Sequence, residues 1–317
     1  VIASGRRERI AGIEDGPSLR RRSAVLVTGA SSGIGFSTAV RLARRGTFVF
    51  AGIRRQVDGE ALLRENSDRI KPMLLDVTDD VAIARARARI EGLREFRLDA
   101  LVNNAGIAVG GPLELLPQEE LRRQFDVNFF APIALIQAFL PLLRESGGRI
   151  VNVSSIAGKM SMPFVGAYSA SKFALEAASD ALRMELRPSG VSVSVIEPGE
   201  IRTPIWRRSS EAGLRMIDGM TPAERAEYEE MSRAIVAAAQ NAERTAIPPE
   251  RVALAIERAL FARRPRARYL VGARTYMRLA VARLPEALRD PLVLAALGVK
   301  AKRPARAAES VARAGSA

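Results

Sequence analysis

From residue 24 the chain alternates short runs rich in β-branched and aromatic residues with longer stretches of helical spacing, and no other feature narrows its fold so far. The runs lie at 24–28, 47–52, 71–75, 99–103, 148–154, 191–197 and 267–271, and the helical stretches at about 33–45, 58–66, 79–95, 117–144 and 164–187. Strands separated by helices are joined by crossovers rather than hairpins, which sets them parallel with helices on both faces. The expected fold class is α/β, a single doubly wound domain of about seven parallel strands. The tract between Pro204 and Pro249 is polar, helical in pattern and without a strand signal, and reads as an insertion (about 204–249) over the strand ends. With no repeat and no low-complexity linker, the expected division is a flexible basic arm at 1–23, a catalytic domain at 24–272, and an extension with a basic tail at 273–317.

Composition then removes whole classes of chemistry. The 317 residues include no Cys and no His, which excludes disulfides, thiolate or imidazole metal sites, cysteine nucleophiles and every His-based triad. Catalysis falls to Tyr, Lys, Ser, Thr, Asp or Glu. The net charge of +14 sits at the ends: residues 1–23 carry six basic and three acidic groups, residues 261–317 thirteen and three, and the 237 between them thirty and twenty-nine. A neutral body forms no phosphate-tracking groove, and only five of the 49 basic residues are Lys, so the excess reads as a compositional bias toward Arg. Nucleic acid is not an expected partner. Residues 1–23 lack the apolar core of a secretion peptide, Glu8, Glu14 and Asp15 do not suit a transit peptide, and the apolar run Pro291–Val299 is short for a bilayer span. The expectation is a cytoplasmic protein, soluble or peripheral at a membrane surface.

The first strand leads into Thr28-Gly29-Ala30-Ser31-Ser32-Gly33-Ile34-Gly35 and then into a helical pattern. Glycines at such a turn let backbone approach a pyrophosphate, and the free N–H groups of the helix N-terminus bind the anion. The spacing is not the simple G-x-G-x-x-G. The end of the second strand, where the adenosine ribose is read, carries Gly52-Ile53-Arg54-Arg55. Ile53 has no acceptor for ribose hydroxyls, whereas Arg54 can neutralise a 2′-phosphate, so NADP(H) is favoured over NAD(H). Further on, Tyr168 and Lys172 are four residues apart on a predicted helix and share a face. A neighbouring ammonium and an oxidised nicotinamide both favour the phenolate and lower a phenol pKa from its usual value of about 10. Ser155 ends a predicted central strand thirteen residues earlier.

With these residues in hand the chain resembles the short-chain dehydrogenase/reductase family over about 24–272, in matching order. The motifs are the turn at 28–35, Asp76-Val77 after the third strand, Asn103-Asn104-Ala105-Gly106 after the fourth, Asn128 in the long helix, Ser155, Tyr168, Lys172, and Pro198-Gly199 followed by Ile201 and Thr203. The resemblance implies a Rossmann-type domain in which Gly29, Ser31, Ser32, Gly33, Ile34 and Gly35 hold the pyrophosphate. It further implies that Asp76 and Val77 meet the adenine, that Asn104, Ala105 and Gly106 pack beside its ribose, and that Pro198, Gly199, Ile201 and Thr203 line the nicotinamide. Tyr168 would be the general acid/base, Lys172 its activator and ribose anchor, Ser155 the partner of the substrate oxygen, and Asn128 the holder of a water linking Lys172 to solvent. A homodimer or homotetramer through the helices holding Asn128 and Tyr168 is implied in the same way.

Outside the motifs, Trp206, Leu214, Met216, Ile217, Met220, Tyr228 and Met231, with Met160, Met162 and Phe164, either wall an apolar pocket or form the buried stripe of their helices. The end of the chain, with Arg266-Ala267-Arg268-Tyr269 and then the stretch from Tyr276 to Pro285, is similar to C-terminal extensions of retinol and hydroxysteroid dehydrogenases, several of which work at membranes. That likeness implies a small apolar alcohol or carbonyl substrate, steroid-, retinoid- or lipid-like. The thirteen basic and three acidic residues of 261–317, with the apolar helical stretch Tyr276 to Val299, either attach the chain to anionic lipid or leave that stretch packed over the pocket or a subunit interface. Two other readings stand beside this one: reduction of 3-oxoacyl thioesters, and a non-catalytic protein that senses nucleotides.

Overall fold

The structure, a computed structural model, describes residues 21–299, with the side chains at 206–210 and 212 outside that description. Seven strands pair in one parallel sheet: β1 (Arg22–Val27), β2 (Phe48–Ile53), β3 (Ile70–Leu74), β4 (Phe96–Asn103), β5 (Arg149–Val153), β6 (Ser192–Pro198) and β7 (Arg268–Val271). Their order in space is β3-β2-β1-β4-β5-β6-β7, reversing between β1 and β4, and a ligand crevice opens outside the carboxyl ends of strands at such a reversal. Register keeps those ends level: Val27 pairs with Ala51 and Val102, Asn103 with Asn152, and Val153 with Ile196.

The helices are α1 (Gly33–Arg44), α2 (Val57–Asn66), α3 (Asp80–Gly92), α4 (Gln118–Phe125), α5 (Ala131–Ser146), α6 (Gly166–Glu185), α7 (Pro204–Asp218), α8 (Pro222–Thr245), α9 (Glu250–Phe261), α10 (Ala273–Ala282) and α11 (Glu286–Ala296). They make two cores, one on each face of the sheet. On one face Ala39, Leu42, Leu62, Val252, Ile256 and Leu260 pack on Val25, Val27, Val49 and Ile53. On the other, Ile83, Ile90, Leu135, Phe139 and Leu143 cover Leu26, Phe50, Leu101 and Ile150. Because both faces are covered, β2 is buried along its whole length, which is why it reads as a continuous apolar run rather than an alternation.

Three elements depart from expectation. The helix expected at 117–144 is interrupted: a π-helical turn, Asp126–Phe130, separates α4 from α5. Pro132 explains it, since its ring and missing N–H are incompatible with a regular bond to the carbonyl of Asn128, and widening the turn relieves the clash. The helix expected at 79–95 stops at Gly92, because Phe96 and Leu98 are already inward-facing strand residues of β4. Helix α9 has no counterpart in the expected set, although Val252, Ala255, Ile256, Ala259 and Leu260 are buried with helical spacing. Taken together with its π-helical turn, the stretch Gln118–Ser146 is long and apolar enough to cross a membrane by length and composition, but its inner face is the core layer just described.

Candidate active site

The residues singled out from the sequence gather at the carboxyl edge of the sheet. The glycine turn comes first. Gly29 lies at φ 63°, a conformation only glycine adopts without strain, and a Cβ on Gly35 would stand 2.2 Å from the Gly29 carbonyl oxygen. Thr28 and Asn104 fix this turn: Thr28 Oγ1 accepts from the N–H groups of Asn104 (3.0 Å) and Ala105 (3.1 Å), and Asn104 Nδ2 donates to the carbonyls of Thr28 (2.9 Å) and Gly29 (3.3 Å). The side chain of Asn104 therefore serves the turn, leaving backbone to face a ribose. Ser32 precedes α1 in an extended conformation, Ile34 packs on the core, and among the described residues no side chain caps the α1 N-terminus. Its N–H groups are free for an anion, so this end of the molecule fits the pyrophosphate of a dinucleotide.

Beside the turn, the two arginines that end β2 differ. Arg55 is held by Asp58 through two hydrogen bonds, at 3.1 and 2.7 Å. Arg54 is exposed and makes no hydrogen bond or ion pair among the described residues. The nearby Asp76 carboxyl is held below its usual pKa chiefly by the Thr78 N–H, with Arg54 adding to the effect. Asp76 does not cap α3: Asp79 does, accepting from Val81 N at 2.8 Å. Val77 is buried in the core beneath.

On the other side of the crevice stand Ser155, Tyr168 and Lys172. Ser155 follows β5 and begins a short 3-10 turn, Ile156–Gly158, its Oγ accepting from Ala157 N at 3.1 Å. Tyr168 and Lys172 are one turn apart on α6. The Lys172 ammonium lies 5.8 Å from the Tyr168 ring centroid and donates to the Val153 carbonyl at 2.9 Å. Burial pushes the Tyr168 phenol above its ordinary pKa, with the Ser155 hydroxyl pulling the other way. The expected lowering, by the ammonium and an oxidised nicotinamide together, therefore does not come from this chain's own groups, among which desolvation sets the direction. Burial also lowers Lys172 to about 8, against the opposing charge of Glu176.

Asn128 sits in the π-helical turn with its amide fully engaged. Its Oδ1 accepts from Ile107 N at 2.9 Å, and its Nδ2 donates to Ile107 O at 3.0 Å and to Ser171 Oγ at 3.1 Å. Gln124, one turn earlier, repeats the pattern, accepting from Val109 N at 2.7 Å and donating to Ile107 O at 2.9 Å. Ser171 in turn donates to the Tyr168 carbonyl at 2.7 Å. The wide turn thus pins the strand-end loop of β4 to the helix of Tyr168. Gln124 and Ser171 were not among the expected site residues, though the spacing of Gln124 and Asn128 carries the signal. Gly106 lies between the two sides: a Cβ there would come 3.3 Å from Asn128 Oδ1 and 3.8 Å from Lys172 Nζ.

The segment after β6 closes the ring. Pro198 ends the strand, Gly199 N donates to Val271 O at 3.0 Å, Ile201 bridges to Ile247, and the Thr203 methyl lies against Gly33. The residues that follow lean over the crevice: Met216 rests on Gly111, Met220 is buried, and Tyr228 bonds Glu114 with its ring 6.0 Å from Phe164. Met160 and Met162 are half-buried and Leu214 is exposed, so the apolar set splits between wall and surface. Trp206 lies outside the described side chains.

The sequence model of short chain dehydrogenases matches residues 23–213 of this chain. The chain is a short-chain dehydrogenase/reductase. As a member of that family it is an oxidoreductase of the NAD(P)-binding Rossmann type. It is 36% identical over 274 residues to an NADPH-dependent 3-dehydrocapnine reductase of Ornithobacterium rhinotracheale, covering 84% of this chain and 94% of that one. It is 37% identical over 255 residues to retinol dehydrogenase 5 of Mus musculus, covering 78% and 80%. Among solved structures, a short chain dehydrogenase from Burkholderia cenocepacia in complex with NADP superposes with a TM-score of 0.64 at 26% identity, covering 89% and 99%.

Proposed function

We propose that this short-chain dehydrogenase/reductase interconverts an apolar alcohol and its carbonyl compound with NADP(H), and that Tyr168 moves the proton. The observation that carries the reading is the convergence of Tyr168, Ser155 and Lys172 opposite an uncapped helix N-terminus, across one crevice. A nicotinamide cofactor bound along the glycine turn supplies or accepts the hydride. In reduction, Tyr168 donates its phenolic proton to the carbonyl oxygen, and the raised pKa keeps that proton in place at neutral pH. Ser155 offers a hydrogen bond to the same oxygen. Lys172 places a positive charge beside the phenolate as it forms. In oxidation the proton moves the other way.

Arg54, exposed and unpaired while Arg55 is tied to Asp58, supports NADPH over NADH, in keeping with the name of the relative from Ornithobacterium rhinotracheale. Met160, Met162, Phe164, Met216 and Tyr228 support an apolar substrate, as does the likeness to a retinol dehydrogenase. Phe130 and Phe173, 56% and 45% exposed on the segments that hold Asn128 and Tyr168, support pairing of two copies across those helices. On α10 and α11, Tyr276, Met277, Leu288 and Leu292 are more than half exposed, beside thirteen basic and three acidic residues in 261–317. That combination supports a cytoplasmic enzyme resting on an anionic lipid surface.

The test is a carbonyl panel of steroid, retinoid, long-chain ketone and 3-oxoacyl thioester, assayed with NADPH and with NADH. Higher kcat/KM for an apolar ketone or aldehyde with NADPH is expected. Fastest turnover of the thioester, or preference for NADH, would overturn the substrate or the cofactor reading respectively.

A further inference from the structure

Behind Lys172 lies a buried ion cluster to which the proposed reaction gives no role. One turn further along α6, Glu176 is 4% exposed and accepts a hydrogen bond from Lys159 Nζ at 2.8 Å. Lys159 belongs to the loop that begins at Ser155. A Cβ at Gly158 would stand 3.1 Å from Glu176 Cγ and 2.9 Å from Ser154 Oγ, so the bare backbone at Gly158 is what lets the Glu176 side chain pass under that loop. Beyond it, Glu197 of β6 is fully buried, 3.5 Å from Lys159 and 3.0 Å from Arg268 of β7. Arg268 also reaches Glu176 at 3.2 Å and Asp180 at 2.7 Å. The α10 helix touches the same turn, and its Arg278 is engaged by Glu200. The charged groups facing Glu176 are therefore Lys172 and Asp180 on its own helix, Lys159 on the loop, Glu197 on β6 and Arg268 on β7.

Charges taken out of water are costly, and a tie between α6, β6 and β7 could be made as well by apolar packing. An ion cluster kept immediately behind the reacting pair needs an electrostatic reason. Glu176 also has one carboxylate oxygen, Oε1, that is buried and makes no hydrogen bond among the described residues, so its negative charge is only partly absorbed by its partners.

We infer that Glu176 is a positioning residue of this reaction: through Lys159 it ties the Ser155 loop to the helix of Tyr168 and Lys172, and its charge keeps the buried Lys172 in its ammonium form. The inference rests on the Tyr168 and Lys172 roles proposed above. Without Glu176, burial alone acts on Lys172, and the neutral amine takes over at lower pH. Reduction needs the ammonium, so activity is present below the Lys172 pKa and is lost as pH rises through it.

The test is the pH profile of kcat for carbonyl reduction at saturating NADPH, using the full chain as wild type, Glu176→Gln, Glu176→Asp, Lys159→Gln and Tyr168→Phe, each checked by circular dichroism. Wild type should lose activity near pH 8. Glu176→Gln should move that limb down by about one pH unit and lower kcat below it about tenfold, with KM within about threefold. Glu176→Asp should keep the limb near its wild-type place, and Lys159→Gln should lower kcat without moving the limb down. If Glu176→Gln does not fold, Lys159→Gln decides: a lowered kcat with the limb not moved down supports the inference, and a wild-type kcat or a limb moved down overturns it. A folded Glu176→Gln with the wild-type limb and a kcat within about threefold, beside an inactive Tyr168→Phe, would overturn it while leaving the catalytic reading intact. An active Tyr168→Phe would instead remove the catalytic reading, and this inference with it.

Discussion

The carboxyl edge of the sheet and the α10–α11 extension are held in place by very different means. At the edge, polar side chains are buried and mutually bonded: Asn103 Nδ2 donates to Asn152 Oδ1 at 2.9 Å, Asn152 Nδ2 to Ser179 Oγ at 2.9 Å, and Asn128, Gln124 and Ser171 join loop to helix. In the extension, Thr275 is the one buried residue among the described residues of the two helices. Its Oγ1 donates to Val271 O at 2.9 Å, and a Cβ on Gly199 would stand 2.6 Å from it. Arg278 adds an ion pair to Glu200. The fold core therefore holds the residues of the site. The extension contributes little burial of its own but leans on the segment that leads from β6 into α7.

Stability breaks this comparison most sharply. Phe139 is fully buried in the layer beneath the site, so Phe139→Ala should cost about 3–5 kcal/mol in denaturant unfolding. Leu288→Ala, at a position 58% exposed, should change stability by less than about 0.5 kcal/mol. Equal losses would show that the extension is part of the cooperative core. Cofactor affinity sharpens the contrast within the site itself. Arg54→Ala should weaken NADPH about tenfold or more with little change for NADH, measured by titration of both, whereas equal losses would show that Arg54 reads something other than the 2′-phosphate. The smallest effect is expected at the extension, where association with anionic vesicles should be weak at low salt and fade as ionic strength rises. Co-sedimentation checks it, and the absence of binding at low salt would remove the lipid-surface reading.

How far the sequence could be read follows the same division. Each of the seven strands lies within three residues of its expected position, because its short apolar run, unbroken in β2 and interrupted or bordered by a few polar residues in the others, stands out from the helical spacing on either side. The glycine turn was legible because Gly29 and Gly35 answer steric demands that no other residue meets. What escaped depends on contacts between distant segments. Nothing local to Glu176 shows that Lys159, Glu197 and Arg268 converge on it, and the direction of the Tyr168 shift depends on burial that only the folded chain defines. The π-helical turn lies between: Pro132 announces a disturbance, but its use in aiming Asn128 at Ile107 appears only when the β4 loop is in place.

The central claim is that Tyr168 moves the proton while the surrounding residues hold it in place, and kcat together with NADPH affinity for Tyr168→Phe tests this most directly. The ring and its packing remain and only the hydroxyl is lost, so kcat should fall by about 10²–10⁴-fold while the dissociation constant for NADPH stays within about threefold of wild type. A variant that turns over within tenfold of wild type would contradict the account.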